Sequence, residues 1–95
     1  MLSAEELRFS TRTAGSLPDW ISNPERPLRI WSLAEAKAVK LRSGSENILV
    51  RVREQSSLFV GEISGFEPSG GAEFRGLRIG DLIVFRQSHI FEASA

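Results

Sequence analysis

The clearest hydrophobic rhythm in the chain lies at Asn47–Glu54, where Ile48, Val50 and Val52 alternate with Leu49, Arg51 and Arg53. Alternation of this length predicts a strand with one buried and one wet face. The preceding Ala36–Leu41 mixes helix-favouring Ala and Lys with a strand-like AVKL. The turn cluster Arg42-Ser43-Gly44-Ser45-Glu46 between the two segments favours a strand here too, so the pair reads as a hairpin. After Gln55-Ser56-Ser57, Leu58–Phe66 predicts a further strand, with Phe59 and Ile63 on one face and Leu58, Val60 and Phe66 on the other. Gly61 and Gly65 interrupt it, as glycine does at a bulge or bend. Leu82–Phe85 is a fourth apolar run, and Ile90 and Phe91 bring the tail back as a last anchor.

The pattern is weaker towards the N-terminus. Ser3-Ala4-Glu5-Glu6 has capping-box spacing and predicts a short helix over about residues 4–11, with Leu7 as its main apolar contact. Residues 12–27 contain Pro18, Pro24 and Pro27 and predict a loop, in which Trp20 and Ile21 pin the chain to the core edge or anchor a partner. Residues 28–31, LRIW, predict a short strand, and Ser32–Glu35 one helical turn.

Short strands joined by tight turns imply a mostly β member of the α+β class. The expected architecture is a strongly bent antiparallel sheet, or partly closed barrel, of four or five strands. It divides into an N-terminal helix and proline-containing loop, residues 1–27, and one β-rich domain, residues 28–95. The expected core draws on Ile30, Trp31, Ile48, Val50, Val52, Val60, Ile63, Leu77, Leu82, Val84 and Ile90.

Composition narrows the function classes. With 95 residues, 41% apolar and 25% charged, the chain has an ordinary globular make-up. It has no cysteine, which removes disulfides, thiolate catalysis and cysteine-type zinc sites. The first residues carry acids where a secretory signal needs bases, and no apolar run approaches the ~20 residues of a membrane span. A cytoplasmic protein without membrane association is expected, as a monomer or a homodimer.

The formal net charge is zero, which argues against strong nonspecific nucleic-acid binding. Charge is nevertheless segregated. Residues 26–53 carry seven cations against Glu35 and Glu46, whereas residues 54–95 carry an acidic excess. Lys40, Arg42, Arg51 and Arg53 would form one basic stripe across the predicted hairpin. Such a stripe is either a solvated face or a contact for an anionic partner. Glu54 and Glu62 could face each other as a carboxylate pair, but solvated edge positions are the simpler reading.

The glycine-rich GGAEFRGLRIGDLIVF at residues 70–85 resembles a phosphate cradle only in part. Gly71 and Gly76 have the spacing of the first half of G-x-x-x-x-G-K-[ST], but Leu77 and Arg78 replace the lysine and hydroxyl that would reach phosphate and magnesium. Two turns explain it better, with Gly70-Gly71 leaving one strand and Gly80-Asp81 entering the next. His89 is the only histidine, so no histidine cluster for a metal can form. It reads as a surface or capping residue. No serine sits in a nucleophile elbow, and no nucleophile–base–orienter set can be assembled.

Residues 36–90 resemble a group of small bacterial proteins of the YegJ type. The matching positions are Gly76, Leu77, Gly80, Asp81, Ile83, Phe85 and Ile90, while Leu49 stands where the pattern has tryptophan. The resemblance implies a β-rich fold and no particular activity. The sequence therefore points first to a non-enzymatic protein-interaction module, with neither cofactor nor metal. The candidate contacts are Trp20, Ile21, Lys40, Arg42, Arg51 and Arg53. A small-barrel nucleic-acid binder using the basic stripe is the alternative, and an enzyme ranks third.

Overall fold

The computed structural model describes residues 1–13, the backbone of residues 19 and 20, and residues 36–94. The expected strand at 28–31, the turn at 32–35, the core positions Ile30 and Trp31 and the anchor Ile21 lie outside the described residues. The strands in chain order are β1 (Leu2–Ser3), β2 (Asp19–Trp20), β3 (Ala38–Ser43), β4 (Glu46–Gln55), β5 (Phe59–Glu67), β6 (Glu73–Phe74), β7 (Leu77–Arg78), β8 (Leu82–Phe85) and β9 (Glu92–Ser94). Seven form one open sheet in the order β1-β8-β5-β4-β3-β9-β2, and β6 and β7 form a separate ribbon.

The five inner strands of the sheet are mutually antiparallel. Each edge carries a two-residue strand running parallel to its neighbour: β1 on β8 and β2 on β9. The β3–β4 hairpin follows the sequence reading closely. Val39 faces Val50 and Leu41 faces Ile48 across it, and all four are buried. Its two-residue turn, Gly44-Ser45, uses the left-handed φ of 61° at Gly44 that tight hairpins favour.

Two bulges reset the face pattern. In β5, Ser64 is the extra residue between Ile63, which pairs with Val50, and Gly65, which pairs with Leu49. In β4, Arg53 is the extra residue between Val52 and Glu54. A bulge inserts one residue and inverts the alternation beyond it. Phe66, expected on the face opposite Phe59 and Ile63, therefore lies opposite Ile48 in the core and is 2% exposed.

β8 also takes the opposite phase from the one expected. Phe85 pairs with Phe59 and Ile83 with Gly61, which places both on the buried face of β5. The Phe59 and Phe85 rings stack with centroids 5.4 Å apart and planes 11° apart. Val84 is only half-buried and Leu82 is 43% exposed, so neither is the core residue anticipated. Val60 is half-buried as well, and Val52 packs at the margin of the core. Ile48, Val50, Ile63, Leu77 and Ile90 are buried as expected.

No α-helix forms at residues 4–11; the capping box starts a single turn that closes at once. Ser3 Oγ accepts the Glu6 N–H at 3.4 Å, and the Leu7 N–H donates to Ser3 O at 2.9 Å. Arg8 then turns left-handed at φ 57°. The Phe9 N–H bonds Ala4 O and the Arg8 N–H bonds Glu5 O. That pair of bonds is a Schellman closure, which terminates helices. Its apolar contacts come from Ala4 and Phe9, both buried, whereas Leu7 is exposed.

This N-terminal segment crosses the apolar face of the sheet. The Ala4 N–H donates to Val84 O on β8, and the Ser10 N–H donates to Arg42 O on β3. Phe85, Leu41, Ile48, Ile63, Ile83, Ile90 and Val50 beneath it are each below 2% exposure. Full burial of a side chain of this kind contributes about 1.5–3 kcal/mol. One carboxylate is buried at the rim: Glu46, opening β4, accepts the Ser69 N–H at 3.3 Å and the Ser69 hydroxyl. That contact holds the turn after β5 against the β3–β4 hairpin.

Candidate interaction surface

The four cations of the expected stripe do lie on adjacent strands. Lys40 and Arg42 come from β3, and Arg51 and Arg53 from β4. Lys40 and Arg42 flank buried Leu41 and therefore point outward. They do not form an open basic row, because most of their charge is answered within the fold. Lys40 Nζ lies 3.0 Å from Glu92 Oε2 on β9 and 3.5 Å from Glu67 Oε2 on β5. Its hydrogen bond to Glu92 raises the Lys40 pKa above the ordinary lysine value; desolvation opposes the rise and Glu67 adds to it.

Arg42 lies over the Phe91 ring, 4.4 Å from its centroid. Arg53 Nη1 meets Glu62 Oε2 at 2.9 Å. The bulge sets up that last contact. Glu62 pairs in register with Arg51, yet the extra residue Arg53 takes its carboxylate. Arg51 is exposed beside it. The same bulge keeps Glu54 and Glu62 from pairing across the hairpin, since Glu54 pairs with Val60. Trp20 sits in the edge strand β2 rather than in a loop, its backbone paired with Ala93.

The glycine-rich stretch forms the two turns and, between them, the β6–β7 ribbon. The ribbon reverses through Arg75 and Gly76, both left-handed at φ 48° and 82°. Left-handed φ at both central residues defines the turn type suited to two-residue hairpins. Gly80, at φ 96°, donates its N–H to Ile63 O at 2.8 Å, and the Gly70 N–H donates to Phe66 O at 2.9 Å. Both N–H groups are already bonded to backbone carbonyls and are not free to meet an anion. Asp81 is committed too: its Oδ2 accepts the Arg78 N–H at 2.9 Å.

His89 is a cap, but a buried one. It ends the 3-10 helix Gln87–His89 and is 3% exposed. Its Nδ1 accepts the Arg86 N–H at 2.9 Å, which fixes the neutral ring with its proton on Nε2. Burial lowers its pKa below the ordinary histidine value; Glu5 opposes this and Arg86 reinforces it. Among the described residues, no group of three or more histidine, aspartate or glutamate side chains is placed to hold a metal ion. Among them, too, no helix is long and apolar enough to cross a membrane.

The surface feature that sequence reasoning missed is apolar. Met1 is 77% exposed and Leu82 43% exposed, and both border an open concavity together with Leu2, Gly80 and Asp81. Ile79, next to Gly80, is also exposed. The concavity lies where edge strand β1 meets β8. Alternation could not reveal it, because every residue of Leu82–Phe85 is apolar and either phase looks equally buried. No protein family, characterised protein or solved structure matches this chain.

Proposed function

We propose that this chain is a non-enzymatic protein-interaction module that engages a partner protein at the Met1–Leu82 end of its sheet. The observation behind this reading is the pair of exposed large apolar side chains bordering one concavity, beside a sheet edge that pairs with no further strand among the described residues. Apolar side chains gathered around a concave site supply the buried centre of an interface. The nucleic-acid reading is weaker, because Lys40, Arg42 and Arg53 are already engaged by Glu92, Glu67, Phe91 and Glu62.

The test places a photo-crosslinking residue at position 82 and, separately, at position 51 in the native cell. A saturable protein adduct at 82 that Ile79→Glu abolishes, with Ile79→Glu as stable as wild type, supports the interaction module. A nucleic-acid adduct at 51, matched by salt-dependent binding of the purified chain, overturns it in favour of the alternative. No adduct at either position also overturns it.

A further inference from the structure

The turn Arg86–Ile90 joins three distant parts of the chain. It follows β8 and leads into β9 through Phe91, whose N–H bonds Lys40 O on β3 at 2.9 Å. The N-terminal segment also ties onto it: the Arg12 N–H donates to Ser88 O at 2.8 Å, and Arg12 Nη2 to Gln87 O at 3.0 Å. At its centre, His89 holds the turn closed by accepting the Arg86 N–H.

That hydrogen bond requires a neutral ring. An imidazolium carries N–H on both nitrogens, so a protonated His89 would set a donor against the Arg86 N–H and place a cation in a site that is 3% exposed. The charged groups around it are Arg86 from its own turn, Glu5 from the N-terminal turn and Arg12 from the crossing segment. Glu5 would favour the cation, but its carboxylate is already engaged by Arg86 Nε at 3.2 Å.

We propose that Arg86–Ile90 is an acid-sensitive latch: when His89 takes a proton the turn opens, β9 leaves β3, and the β3–β4–β5–β8 sheet stays folded. The opened state exposes the Ala38–Lys40 edge of β3, a template for another strand. The sign follows from the burial of the ring. The closed turn prefers neutral His89, so the latch is shut above the ordinary histidine pKa of about 6.5 and opens as pH falls below it.

Amide hydrogen exchange on the full chain, at about pH 7.5 and about pH 5 and corrected for intrinsic rates, tests this. The amides of Phe91 and Lys37, which bond across the β3–β9 pairing, should lose protection at the lower pH, up to the roughly thirtyfold limit for a ring of ordinary pKa about 6.5 that the closed turn keeps neutral. Those of Val50 and Ile63 should not. His89→Asn keeps an acceptor near Nδ1 without a titrating ring and should abolish the difference. Equal protection at both pH values, a parallel loss in the core, or pH dependence surviving in His89→Asn overturns the proposal. Should His89→Asn fail to fold, the wild-type imidazole NMR titration decides. A midpoint coinciding with the loss of Phe91 protection supports the latch, and separate midpoints overturn it.

Discussion

Val50 Cγ1 fills the space where a Cβ on residue 61 would stand, and Arg51 O and Phe85 Cε1 lie only 3.0 and 3.2 Å from that same point. Gly61 thus lets side chains of β4 and β8 close over β5. Gly61→Ala must push buried Val50 or the sheet backbone aside. Overpacking of this kind costs about 1–3 kcal/mol. Urea denaturation should show a lower midpoint with an unchanged slope, and wild-type stability would refute this packing.

The phase of β8 is tested by two neighbours. Ile83 is fully buried, so Ile83→Ala should cost about 2–5 kcal/mol. Leu82→Ala, at a position 43% exposed, should cost about 1 kcal/mol or less. The ratio of the two losses in thermal unfolding is the readout; comparable losses would restore the inward Leu82 expected from sequence.

Glu46 and Ser69 make a separable prediction. Glu46→Ala leaves the Ser69 N–H and hydroxyl without their acceptor and should cost about 1.5–3 kcal/mol. Glu46→Gln keeps an acceptor and should lose less. In both, amide exchange at Ser69 should quicken before exchange in the core does, and an unchanged Ser69 rate would show that the contact does not hold the turn.

Lys40 gives a signed pH dependence at the alkaline end. Its folded pKa is raised, chiefly by Glu92, so its contribution is complete below the unfolded value of about 10.4 and is lost as pH rises through the folded one. Partial exposure makes the effect small, on the scale of a solvent-screened ion pair at about 1 kcal/mol or less. Melting temperatures from about pH 9 to pH 11.5 should fall less in Lys40→Met than in wild type. Parallel curves would remove Lys40 as the source.

Legibility tracked local pattern. The β3–β4 hairpin could be read because Ile48, Val50 and Val52 recur at every second position with Arg51 and Arg53 among their neighbours, and because Gly44 marks its turn. The far end of β5 could not be assigned, because nothing in Ser64-Gly65 announces which residue is extra, and that choice moves Phe66 from one face to the other. β8 was ambiguous for the opposite reason: LIVF offers no polar residue to set a phase. The helix expected at 4–11 failed on Arg8, whose left-handed backbone closes the turn although arginine carries no signal for it. The basic stripe was legible as positions on strands. Its neutralisation was not, because Glu92 and Glu67 reach Lys40 from strands far along the chain.

The two parallel edge strands also set an order in time. Residues 2 and 3 are made some eighty residues before their partners, Ile83 and Val84. The β3–β4 and β4–β5 hairpins close over short separations and can form early, whereas contacts of long separation bear the larger loop-closure entropy. Leu2 and Ser3 are therefore made early and dock late. Until they do, the outer edge of β8 stands unpaired in the nascent chain, a period in which chaperones or a second chain can reach it.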